Sequence, residues 1–159
     1  MCRKEELYEE VALQLIGLFE DCPHVIANLS NASAALNQAM KDINWVGFYL
    51  MEEGQLVLGP FQGKVACVEI KVGKGVCGTA VEKDEIQLVK NVHEFPGHIA
   101  CDGASNSEIV LPIHVNGKVW GVLDIDSPLL ARFDEEDKDG LEKVVSVLEK
   151  MLKSNSVNG

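Results

Sequence analysis

The amino-acid sequence predicts an α+β fold, a largely antiparallel central sheet packed by N-terminal and C-terminal helices. Three observations carry that expectation. Apolar residues recur at helical spacing through the first 43 residues and again from about Asp134, strand-forming residues fill the middle, and Asn116-Gly117 divides two apolar stretches as a hairpin turn does. With 159 residues, 47% of them hydrophobic and 25% charged, the chain fits one compact domain and is too apolar to be disordered. The expected domain, 1–159, divides into N-terminal helices (1–43), a sheet carrying an active-site loop (44–131) and a C-terminal helix (132–153).

Leu7, Val11, Leu15 and Leu18 place a first helix over 4–20, stopped at Asp21-Cys22-Pro23 because proline interrupts a helix. Val25, Leu29, Ala32, Leu36, Ala39 and Ile43 continue the period as a second helix, whose Ala- and Asn-rich faces suit close packing on another helix or on a partner subunit in a homodimer. From Asn44 the pattern changes. Residues 45–50 and 55–58 read as a hairpin about Glu53-Gly54, residues 65–71 as a strand, Gly73-Lys74-Gly75 as a turn, 76–83 as a short helix and 86–89 as a strand. Residues 91–106 have no period and carry His93, His98 and Cys101, so the functional loop is expected there. Strands 107–115 and 118–126 follow, then a helix with Leu141, Val144, Leu148 and Met151 inward, and a frayed tail from Ser154.

A net charge of -11, with Lys and Arg scattered, repels a phosphate backbone and argues against nucleic acid as partner. No apolar run approaches the roughly 18 residues of a membrane span, and the start Met-Cys-Arg-Lys-Glu-Glu lacks the apolar core of a secretory signal, so a cytoplasmic protein without membrane contact is expected. There the five cysteines stay reduced, as buried fillers or as reactive thiols.

Cys101 lies in the irregular loop, where backbone N–H groups around Gly103 can stabilise a thiolate or a bound anion; on position alone, a small buried hydrophobe is an equal reading. Cys67 sits on a presumed strand and Cys77 at the start of the short helix, whose N-terminus lowers a thiol pKa, and either also reads as core filler. None forms a C-x-x-C pair, and no metal or other cofactor is expected. Glu108 precedes the strand Ile109-Val110-Leu111, and Asp124 and Asp126 share one face of an apolar strand; desolvation there raises a carboxyl pKa and supplies a proton donor, whereas an edge strand kept soluble by charge is the plainer alternative. Trp45 and Tyr49, four apart in a strand, form two sides of an apolar slot or part of the core.

Asn44-Trp45-Val46-Gly47-Phe48-Tyr49-Leu50, Leu58-Gly59-Pro60-Phe61-Gln62-Gly63, Gly73-Lys74-Gly75-Val76-Cys77-Gly78, Phe95-Pro96-Gly97-His98-Ile99-Ala100-Cys101-Asp102 and Leu123-Asp124-Ile125-Asp126-Ser127-Pro128 together resemble the free methionine-(R)-sulfoxide reductases, a small GAF-domain family. The likeness runs from Asn44 to about Asp139 and more loosely through both N-terminal helices. It implies that Cys101 attacks the substrate sulfur, Cys67 resolves the product, Cys77 is a third family cysteine, Glu108, Asp124 and Asp126 are the family carboxylates and Trp45 and Tyr49 its aromatic slot. Glu108 or Asp126 would then supply the proton, the carboxylates would hold the substrate ammonium, and N–H groups around Ile99, Ala100 and Cys101 would hold its carboxylate. Thioredoxin is the reductant the resemblance implies. Two rival readings differ in consequence: a non-catalytic GAF sensor of a small molecule or nucleotide has no redox-active cysteine, and a hydrolase using Cys101 with His98 or His93 releases product without a reductant.

Overall fold

The computed structural model describes residues 3–98 and 104–156. Two helices, α1 (Arg3–Phe19) and α2 (Val25–Ala39), precede the strands β1 (Trp45–Glu52), β2 (Gln55–Gly63) and β3 (Glu69–Lys71). Helix α3 (Gly75–Lys83), β4 (Gln87–Val89) and a 3₁₀ turn (Val92–Glu94) lead to β5 (Ser107–Val115), β6 (Lys118–Ser127) and the closing helix α4 (Glu135–Ser156). The described strands form one sheet in the order β3-β2-β1-β6-β5-β4. Every pairing is antiparallel.

Side chains alternate along a strand, so each central strand offers one row to each side of the sheet. Val46 and Phe48 of β1, Ile109, Leu111 and Ile113 of β5, and Leu123 and Ile125 of β6 form one buried cluster with apolar residues of α1, α2 and α4. Their sequence neighbours Trp45, Tyr49, Val110 and Val122 form a second cluster with Val76, Cys77 and Ala80 of α3. The sheet is therefore covered on both faces, by three helices on one and by α3 on the other.

Polar groups also join the helices. Asp137, buried in the first turn of α4, accepts from the Tyr8 hydroxyl at 2.6 Å and from Lys4 Nζ at 2.9 Å, and Arg132 lies 3.6 Å away. A Cβ at Gly140 would collide with the Tyr8 ring, so only glycine admits this close crossing of α1 and α4. Asp134 caps α4, its Oδ1 accepting from the N–H groups of Glu136 and Asp137 at 3.0 and 3.1 Å.

The structure departs from the sequence expectation at several boundaries. Helix α2 stops at Ala39 instead of reaching Ile43: Met40 caps it with an extended backbone (φ -93°, ψ 130°), and Asp42, left-handed at φ 59°, turns the chain toward β1. Its Ala-rich face, with Leu29, Ala32, Ala35 and Leu36, is buried within this chain. The strand expected over 65–71 shrinks to Glu69–Lys71, because carbonyls ahead of it are committed to side chains: Lys64 O accepts from Trp45 Nε1 and Cys67 O from the Tyr49 hydroxyl. Strand β2, expected over 55–58, continues to Gly63 alongside β1 through a register irregularity. Helix α4 runs to Ser156 where a frayed tail was expected from Ser154. Among the described residues, no helix is long and apolar enough to cross a membrane.

Candidate active site

Strand pairing assembles the site on the α3 face of the sheet. Glu108 lies opposite Asp126 in the β5–β6 ladder, and Trp45 lies opposite Asp126 in the β1–β6 ladder. Alternation puts Asp124 two residues along on the same side. Glu108 lies inside β5, whose bounds match the strand expected over 107–115, and β6, flanked by β1 and β5, is a central strand, which removes the reading of Asp124 and Asp126 as charges on an exposed edge.

Trp45 and Tyr49 share one face, as their spacing predicts, with ring centroids 5.9 Å apart and planes 22° from parallel. Phe61 of β2 stacks on Trp45 at 5.1 Å and 14°. It reaches that position because Gly47 has no Cβ; one there would collide with Phe61 itself. Hydrogen bonds fix the wall further: Trp45 Nε1 donates to Lys64 O at 3.1 Å, and the Tyr49 hydroxyl donates to Cys67 O at 2.9 Å. The same phenol that shapes the wall therefore anchors the backbone of Cys67. Cys67 is disulfide-bonded, whereas Cys22 and Cys77 are free thiols.

The opposite side of the cleft is acidic and buried. Glu108 is 7% exposed and Asp124 5%. Burial pushes the Glu108 carboxyl well above the usual range, and the charges of Asp124 and Asp126 push it the same way. Burial also raises Asp124, although hydrogen bonds from Glu108 and Cys77 oppose the rise. The Cys77 thiol, on the first turn of α3, is raised by burial and by Asp124, so of the two readings the sequence left open for it the helix-lowered thiol does not hold. One sulfur and two carboxylate oxygens, from Cys77, Glu108 and Asp124, lie within 4.8 Å of one another.

Aromatic wall and carboxylates face a cleft of about 570 Å³, counting space open to solvent, which Ile70, Lys74, Val76, Cys77, His98 and Ser105 also line. Burial lowers the His98 pKa, the nearby His93 adds to this, and Asp124 opposes it. Sequence reasoning gave no site role to Phe61, Lys74 or Ser105, and gave His98 one only in the hydrolase alternative. Phe61 stood within a quoted motif, but nothing local shows that β2 bulges to bring it under Trp45; Ser105 enters through long-range contact, its Oγ accepting from Asn44 Nδ2 at 3.2 Å. Ile99, Ala100 and Cys101 lie outside the described residues, as does Gly103.

This geometry can be set beside known proteins. The GAF domain model matches residues 8–152. The free methionine-R-sulfoxide reductase of Escherichia coli is 53% identical over 149 residues, covering 94% of this chain and 90% of that protein. The Saccharomyces cerevisiae protein of the same name is 50% identical, with coverages of 92% and 86%. The chain belongs to the free methionine-R-sulfoxide reductase family of GAF domains. A solved family structure, from Neisseria meningitidis in complex with its substrate, superposes with a TM-score of 0.94 at 42% identity and covers 100% of this chain and 96% of that one. The six-stranded antiparallel sheet with helices on both faces is thus the GAF fold as this family builds it.

Proposed function

We propose that the protein reduces free L-methionine-(R)-sulfoxide to L-methionine, with Cys101 as nucleophile and Cys67 as resolving thiol. One observation carries the reading: a single cleft sets an aromatic wall, Trp45 and Tyr49, against the buried carboxyls of Glu108 and Asp124 and the half-buried one of Asp126. That pairing matches a zwitterionic amino acid with a compact methyl sulfoxide. Names borne by relatives at about half identity over nearly the whole chain support the same substrate.

A sulfoxide oxygen leaves only when protonated, and burial, by raising the Glu108 pKa, favours its protonated carboxyl as the donor. The Cys101 thiolate attacks sulfur, protons pass to the oxygen, and the S–O bond breaks. The oxygen leaves as water, and a water then attacks the Cys101 sulfur, breaking the transient S–S bond to release methionine and a proton and leaving Cys101 as a sulfenic acid. The thiol of Cys67 then displaces water to close a disulfide, and a dithiol of the thioredoxin type opens it by exchange. The disulfide-bonded state of Cys67 beside a free Cys77 favours Cys67 as the resolving thiol. Asp124 and Asp126 hold the substrate ammonium, Trp45 and Tyr49 the methyl group, and N–H groups around Ile99 and Ala100 the carboxylate. A thioredoxin-dependent cycle of this kind belongs in the cytoplasm.

The test is reductant-dependent conversion of free methionine-(R)-sulfoxide, with the (S) epimer and a peptide-linked sulfoxide as controls. Only the free (R) epimer should be consumed; equal rates on both epimers would sink the slot geometry. In single turnover without reductant, Cys101→Ser should give no methionine, and Cys67→Ser up to one equivalent per site before stalling.

A further inference from the structure

We propose that Cys77, Glu108 and Asp124 form a binding site for a thiophilic divalent cation such as zinc, whose occupation closes the cleft to substrate. The three donors come from separate rigid elements, α3, β5 and β6. Their ligand atoms lie within 4.8 Å of one another. Neighbouring donors on a tetrahedral zinc stand about 3.3–3.8 Å apart for bonds of about 2.0–2.3 Å, so a contraction of about an ångström or more completes the set. All three side chains are buried.

A separate observation points to a cation. Asp124 Oδ1 is buried with no hydrogen-bond partner. An acceptor left in that condition costs stability unless something positive meets it. A cation bound by the Asp124 carboxylate supplies positive charge to it and offsets the burial of two carboxyls at once.

The donor chemistry selects the ion. One thiolate with two carboxylates suits zinc, or cobalt(II) and cadmium, better than magnesium or calcium, which take oxygen donors alone and more of them. On binding, the Cys77 thiol forms the metal–sulfur bond and releases its proton to solvent; no electrons move. Three protein ligands leave a fourth position facing the cleft, for water or for Asp126. Competition with the substrate ammonium rests on the function proposed above, whereas metal binding itself does not. Zinc therefore acts as a reversible inhibitor that holds Cys77 and withdraws the carboxyls needed for proton transfer.

The probe is cobalt(II), titrated without reductant into full-length protein carrying Cys2→Ser and Cys22→Ser with the Cys67 disulfide intact. One equivalent should produce a thiolate-to-cobalt charge-transfer band and the visible absorption of a tetrahedral ion, both erased by zinc. Cys77→Ser should abolish the charge-transfer band, and Asp124→Asn, which keeps the thiol, should weaken binding at least about tenfold. No band, a band surviving Cys77→Ser, or unchanged affinity in Asp124→Asn would each overturn the site. Turnover measured with a chelator reports on the reductase alone: metal binding by a protein without turnover would remove the enzymatic reading and leave the cation site standing.

Discussion

The two faces of the central sheet are built from the same strands, residue by alternate residue, yet they treat buried polarity in opposite ways. On the side covered by α1, α2 and α4 the strands present mainly Val, Ile, Leu and Phe, and the buried charge nearby, Asp137, is met by Tyr8, Lys4 and Arg132. On the α3 side the carboxyls of Glu108 and Asp124 are buried beside a thiol, and Asp124 keeps an unpartnered oxygen. Satisfied polarity holds a fold together; unsatisfied polarity costs stability and awaits a ligand. One face therefore serves as scaffold and the other as site, and substitutions should separate them.

The largest effect is expected from Glu108→Gln. Size is kept and a proton donor is lost, so turnover should fall by about 10²–10⁴-fold while the melting temperature at neutral pH stays level or rises. A mutant that melts well below wild type would show that Glu108 belongs to the scaffold. Asp137→Ala should do the reverse. It strands Tyr8, Lys4 and Arg132 around a vanished partner, for a loss of about 3–5 kcal/mol, or about 6–20 °C in melting temperature, with kcat of the folded protein unchanged.

The pH dependence sharpens the same contrast. Glu108 and Asp124 both have folded-state pKa values above their unfolded ones. Between those values the folded state binds more protons than the unfolded chain. Stability is therefore fully present below the ordinary carboxyl range near pH 4 and declines as pH rises, by up to about 1.4 kcal/mol per unit for each group. Denaturation midpoints from pH 5 to 8 should fall in wild type and flatten in Glu108→Gln. Parallel slopes in the two proteins would mean that Glu108 ionises normally.

Much of the scaffold was legible because its signals are local. Asn116-Gly117 takes the positive φ values of its hairpin turn, and Leu141, Val144, Leu148 and Met151 are buried at their helical spacing. Even there, Leu18 reads as part of the α1 stripe but is exposed, while Tyr8, outside that stripe, is buried by its bond to Asp137. Within the site, alternation alone placed Asp124 beside Asp126 and Trp45 beside Tyr49. What joins those pairs is the ladder that sets Trp45 against Asp126, 81 positions away in the chain, and the packing of α3 that brings Cys77 to Asp124. Neither leaves a local trace in the sequence, because long-range pairing is decided by the sum of many contacts.

The smallest predicted effect concerns Phe61, which belongs to the site face without touching its chemistry. Its ring stacks on Trp45, whose edge is held by the bond to Lys64 O, so Phe61 and that bond together set the tilt of the slot wall. Phe61→Leu keeps an apolar side chain but removes an aromatic contact of about 0.5–1.5 kcal/mol. If that energy serves to orient Trp45 for the substrate methyl group, it should appear as a two- to tenfold rise in KM with kcat nearly unchanged, because proton transfer at Glu108 lies across the cleft. If Phe61 is only filler, KM should stay put and the loss should appear in the melting temperature. Measuring both on the same preparation decides whether the ring behind Trp45 belongs to the site or to the scaffold.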